Sequence, residues 1–223
     1  MHIALLNHEA IGFLLRWVHI MAGVTWIGLL YYFNFIQGAF FGEAGGATKS
    51  EAIQKLVPRA LWWFRWGAMF TFLSGAALLM FYHLQGFGII VGASMGTIMF
   101  LNVWVIIWPN QKIVIASATQ VAGGGEALPD AASAAGKAGL ASRTNTLFSI
   151  PMLFFMASSR HLPAIQDALG SVSMQAKVLV FGLILLLAFN GVKGKTGPMT
   201  SVKGVIWMGF LLTLVLYLFV DLL

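Results

Sequence analysis

The chain has no cysteine among its 223 residues, which excludes disulfides, thiolate-held iron–sulfur clusters and a covalently attached c-type haem. Charge is nearly as scarce. Asp and Glu together number 7, and all charged residues make up 9% of the sequence, too few for the surface of a water-soluble domain. The acids are also badly placed for a proton relay, because Glu9 and Asp221 fall at the ends of apolar runs. Ion-coupled transport is therefore not expected. There is no H-E-x-x-H, no Walker loop and no G-x-S-x-G. The N-terminus also lacks the basic region and small-residue cleavage site of a secretory signal, so the first apolar run is expected to stay in the mature protein.

What the chain does contain is apolar residues, 59% of the total, arranged in long runs without period-2 alternation. Such runs must satisfy their backbone inside lipid, and helices do this within each segment. The expected fold is all-α: one integral membrane helical bundle, residues 1–223, with about six transmembrane helices near 10–38, 59–82, 89–109, 143–159, 172–191 and 202–221. Pro151 is expected to interrupt the fourth. Residues 121–140, which contain Gly123-Gly124-Gly125 and Pro129, read as a flexible cytoplasmic loop. Lys and Arg concentrate in the loops after the first, third and fifth helices (Lys49, Lys55, Arg59, Lys112, Lys137, Arg143, Lys193, Lys195 and Lys203). The positive-inside rule then puts both termini in the periplasm of a bacterial inner membrane. The net charge of +6 follows from topology and gives no reason to expect nucleic-acid binding.

In this orientation His2, His8, His83 and His161 fall at the outer face, with His19 about 12–15 Å in from it at 1.5 Å per residue. On the first helix Arg16, His19, Gly23, Trp26, Leu30, Asn34 and Gln37 follow helical spacing and form one stripe. An imidazole inside lipid is costly and marks a functional site. His19 is a candidate axial ligand of haem b, with His161 or His83 as the second ligand and Arg16 or Arg160 as propionate partners. The competing reading is that His19 hydrogen-bonds a Ser, Thr or Asn on a neighbouring helix and fixes packing. Trp26 lies on the same stripe. Asn102 and Asn145 are amides inside apolar runs that need partners.

Three groups of segments carry a resemblance: Leu15-Arg16-Trp17-Val18-His19 with Gly23-Val24-Thr25-Trp26-Ile27-Gly28; Asn102-Val103-Trp104 with Ile107-Trp108-Pro109-Asn110-Gln111; and Arg143-Thr144-Asn145 with Pro151-Met152. Together they resemble the membrane domain of bacterial urate oxidases, a family that joins such a domain to a C-terminal cytochrome c. The first helix also resembles, more loosely, that of HemJ-type protoporphyrinogen oxidases, where the matching histidine, here His19, serves haem binding. No cytochrome c segment follows the last apolar run, so the resemblance implies a separate electron acceptor.

The first expectation is a haem b-binding redox or electron-transfer module that passes electrons at the periplasmic face to a cytochrome c or a neighbouring membrane subunit. One alternative is a cofactor-free accessory subunit of a larger respiratory or oxygenase complex, packed through glycines such as Gly23, Gly67 and Gly92. The other is a urate oxidase working with a separate cytochrome c.

Overall fold

The computed structural model describes residues 7–83, 86–159, 161–162, 165–167 and 169–223. Seven α-helices organise them: α1 (His8–Glu43), α2 (Gly46–Lys55), α3 (Val57–Phe81), α4 (Phe87–Ala122), α5 (Ala131–Ser158), α6 (Met174–Lys193) and α7 (Val202–Leu222). The starts of α1, α6 and α7 follow from short polar side chains that accept free N–H groups of the first turn. Asn7 accepts from Ala10 at 2.7 Å, Ser173 from Ala176 at 3.0 Å and Ser201 from Gly204 at 2.9 Å. Pro58 sits in the first turn of α3, where its missing N–H costs nothing.

Five helices, α1, α3, α4, α6 and α7, are long and apolar enough to cross a membrane. The protein is a multi-pass membrane protein. The chain forms the helical membrane bundle expected from its sequence, and α5 is the long helix that is not among the five. Its polarity has a structural reason: Thr144, Asn145, Thr146, Leu147, Phe148 and Ser149 are six consecutive buried residues. A helix buried all round touches neighbours rather than lipid, so its polar groups find partners inside the bundle. Apolar side chains such as Val24, Leu186 and Trp207 cover the outer surface instead, at 66, 67 and 73% exposure.

Two expectations change on the same element. The segment 121–140 is not one flexible loop: α4 runs to Ala122, and α5 is helical from Ala131. Alanine is the strongest helix former, and Ala134, Ala138 and Ala141 are buried at helical spacing. The connection that remains is pinned, since Leu128 N–H donates to Ser117 Oγ at 3.0 Å and Gln120 Nε2 to the Glu126 carbonyl at 2.8 Å. Gly124 supplies a left-handed residue there (φ 87°). Nor does Pro151 interrupt the helix, which continues to Ser158. Pro151 is buried, with Met152 and Phe155, and packing on that side holds the helix through the missing hydrogen bond.

Counting α5, six helices pass alternately up and down the bundle. At one end the His8 ring stacks on Phe81 at 4.2 Å, Phe87 N–H donates to the Asp167 carbonyl at 2.7 Å, and Phe154 meets Tyr217 at 6.0 Å. Both described chain ends therefore share that end. At the opposite end the last part of α1, the start of α3, the later part of α4, the start of α5 and the α6–α7 turn surround one cavity, with α2 across it.

Helix α5 is approached closely by its neighbours. A Cβ at Gly191 of α6 would lie 2.7 Å from Thr144 Oγ1, and one at Gly209 of α7 would collide with Ile150. Gly191→Val is expected to lower stability by roughly 1–3 kcal/mol through overpacking. Thermal unfolding in mild detergent checks this, and an unchanged midpoint would show that α6 does not pack as described.

Candidate functional site

His19 lies in the α1–α3 interface, where the helices come close because Gly67 faces the α1 backbone: a Cβ there would lie 3.1 Å from the Trp26 nitrogen. About two turns further along α3, Gly75 leaves space for the imidazole, since a Cβ there would lie 2.9 Å from His19 Cε1. His19 Nδ1 is 2.9 Å from the Thr71 carbonyl oxygen and 3.2 Å from Ser74 Oγ. A carbonyl only accepts, and the Ser74 hydroxyl already donates to the Phe70 carbonyl at 2.5 Å. Both partners are thus acceptors, so Nδ1 carries the proton. Nε2 then keeps its lone pair, the tautomer of a metal-ligating histidine whose other nitrogen is held by a backbone carbonyl.

The other expected site residues fall in different places. Arg16 lies one turn from His19 toward the chain-end face and is exposed, its guanidinium carbon 5.3 Å from the Tyr82 ring centre. Trp26 is buried at 2% exposure, and its Nε1 has no hydrogen-bond partner. His83 closes the α3 end in the left-handed region (φ 48°) with its side chain exposed. It stands eight residues beyond Gly75, about 12 Å along the helix. His161 is exposed just past α5. No hydrogen bond or ring contact joins either histidine to His19, and no cluster of three or more His, Asp or Glu occurs among the described residues. Arg160 and His2 lie outside the described residues. Asn102 and Asn145 do meet: Asn102 Nδ2 donates to Asn145 Oδ1 at 2.8 Å, and Asn145 Nδ2 to the Met99 carbonyl at 3.0 Å. They serve each other and hold α4 to α5.

A second constellation surrounds the cavity of about 480 Å³ at the opposite end. It arises where α1 and α4 each contain a wide, π-type turn, Tyr32–Gln37 and Asn102–Ile107. Such turns re-aim side chains and recur at functional sites. Asn34, Gln37, Gln111, Ser142 and Arg143 line the cavity together with Phe33 and Phe64, whose rings meet edge-on at 5.5 Å. Asn34 uses both amide hydrogens, on the Leu30 carbonyl at 2.9 Å and on Ser142 Oγ at 2.8 Å. Gln37 Oε1 and one guanidinium nitrogen of Arg143, Nη1, are buried without a partner. The sequence placed Asn34 and Gln37 on the first-helix stripe but grouped Arg143 with the loop cations. The signal for these residues was the family resemblance, whose segments contain Gln111 and Arg143-Thr144-Asn145.

Neither this cavity nor a second one of about 540 Å³ beside the α6–α7 turn borders His19. Any flat group on Nε2 would therefore lie along the α1–α3 surface. Among known proteins, the profile of the family described as urate oxidase N-terminal matches residues 82–220, well over half of the chain. The matched stretch takes in Asn102, Gln111, Arg143 and Asn145 and begins after α3, so His19 is outside it. No curated protein and no solved structure matches the chain.

Proposed function

The chain belongs to the urate oxidase N-terminal family, and from that premise we propose that it is the membrane redox module of a urate-oxidising system, holding one haem b on His19. The observation that carries the reading is the protonated Nδ1 of His19, tied to Thr71 and Ser74, which leaves Nε2 available inside an otherwise apolar helix pair. The donor set fits a single axial imidazole. A second protein ligand does not converge, because His83 and His161 are exposed elsewhere. Arg16, one turn toward the chain-end face, is the cation in reach of a propionate, and burying the ring against α1 and α3 would exclude water from the ligand bond. Haem supplies one-electron transfer when bound. By the positive-inside rule the cavity end, where the basic residues gather, would face the cytoplasm of a bacterial inner membrane and the His19 end the periplasm. Electrons would leave there to a separate cytochrome c or a membrane subunit.

The purified protein is expected to show a reducible Soret band after haem supplementation. A protein that lacks the band and always co-purifies with large subunits would be the accessory subunit instead. That reading is favoured by the bonds His19 already makes, which also suit a purely structural histidine.

A further inference from the structure

The cavity of about 540 Å³ beside the α6–α7 turn has walls of two chemistries. Both helices press on α5, α6 where Gly191 meets Thr144 and α7 where Gly209 meets Ile150. They leave a gap that is lined by Leu147 of α5 together with Leu186, Phe189 and Met208. Leu186 and Phe189 are 67 and 66% exposed, so on a membrane-spanning helix the gap opens toward lipid. Acyl chains fill such a gap, because unfilled space forfeits contacts for every atom around it.

The other wall is cationic. Lys193 lies in the last turn of α6 with Nζ 6.0 Å from the Phe189 ring centre, and Lys195 follows in the turn itself. Asn190 fixes that turn, since its Nδ2 donates to the Lys195 carbonyl at 3.1 Å and its Oδ1 accepts from the Lys195 N–H at 3.4 Å. No Asp or Glu is among the described lining residues, and neither lysine has a carboxylate partner among the described residues. The Thr196 hydroxyl is already spent. Thr200 Oγ1 donates to the Gly197 carbonyl at 2.8 Å, so the 2.8 Å contact between the two threonines has Thr196 as donor. The two ammonium groups are thus the charged donors left for a ligand.

The turn joins two membrane-spanning helices, which puts the lysines at headgroup level. Leu186 stands seven residues before Lys193, about 10 Å deeper along α6. We propose that this groove holds one anionic phospholipid, its phosphate at Lys193 and Lys195 and an acyl chain along Leu186 and Met208. Basic pockets between membrane helices suit such headgroups. Topology alone accounts for lysines on this turn, but not for the lipid-facing gap that they border. The proposal is independent of the haem.

The test is native mass spectrometry of the full chain released from mild detergent, titrated separately with phosphatidylglycerol and with phosphatidylcholine of the same acyl chains. The first phosphatidylglycerol is expected to bind about tenfold tighter or more, since each lysine near the headgroups is worth about fivefold. Lys193→Gln combined with Lys195→Gln should bring the two lipids within about twofold. Arg59→Gln removes a cation at the same end of the bundle but outside the groove, and should leave the preference unchanged. Met208→Trp fills the gap and should weaken both lipids about fivefold. If that variant fails to fold, the exposed lysines still decide the matter. Equal affinity for the two lipids overturns the proposal, as does a preference that falls equally in Arg59→Gln and in the lysine variant. Unchanged binding by a folded Met208→Trp refutes the acyl-chain placement. Displacement of the lipid by glycerol 3-phosphate would make the groove a soluble-phosphate site, and a lipid-free dimer would make it a contact between two copies. Either result also overturns it.

Discussion

His19→Ala is expected to abolish the reducible Soret band of the haem-supplemented protein while leaving the helical bundle folded. The fold should tolerate the change because neither partner of Nδ1 is orphaned by it. Ser74 Oγ keeps its bond to the Phe70 carbonyl, and the Thr71 oxygen belongs to a continuous helix, α3. Losing two shared hydrogen bonds from a half-buried ring costs on the order of 1 kcal/mol. The spectroscopic loss, by contrast, is complete, since no other described histidine approaches the site. Two companion variants separate ligation from packing. Ser74→Ala removes only the longer contact at 3.2 Å and should keep the band. Gly75→Leu fills the space under the imidazole, where a Cβ alone would lie 2.9 Å from Cε1, and should remove the band with His19 still present. A band that survives His19→Ala would refute the assignment, and a protein with no band in any variant would leave His19 a packing residue.

The bundle was legible in the sequence wherever a helix faces lipid, because lipid demands an unbroken apolar run and cations collect at one set of ends. The same logic fails on α5. Its polar residues read as a short, broken span because sequence cannot show that they face other helices, and the alanine face of residues 134–141 acquires meaning only once a neighbour packs on it. Of the site, the stripe from Arg16 to Gln37 was visible as helical spacing, and Trp26, Leu30 and Asn34 are indeed buried on it. The pairing of Asn102 with Asn145 was foreseen only as a need for partners. The cavity was not visible at all. It depends on two π-type turns, for which apolar periodicity carries no signature, and on α2 lying across the opening. Arg143 illustrates the loss: by composition it is one more loop cation, and only the fold brings it to the same cavity as Gln37.

Asn145→Leu is expected to be among the most damaging single substitutions in the bundle, lowering stability by about 2–3 kcal/mol. Asn145 is fully buried at 0% exposure and spends both ends of its amide on α4, accepting from Asn102 and donating to the Met99 carbonyl. The contact falls where the wide turn of α4 begins, at Asn102. Leucine therefore leaves the Asn102 N–H without a partner inside the bundle and removes the α5 group that anchors this turn. Individual polar contacts between membrane helices average only about 0.6 kcal/mol, because an unpacked helix in lipid finds other partners. The larger figure is expected here because two bonds go together and an amide is orphaned. The double variant Asn102→Leu with Asn145→Leu separates these terms. It buries no unpaired amide, so it should be less unstable than the sum of the single variants, with a coupling of about 1 kcal/mol or more. Unfolding in graded denaturing detergent measures the cycle. Additive losses would mean that the two amides do not rely on each other, and the α4–α5 contact would then rest on apolar packing alone.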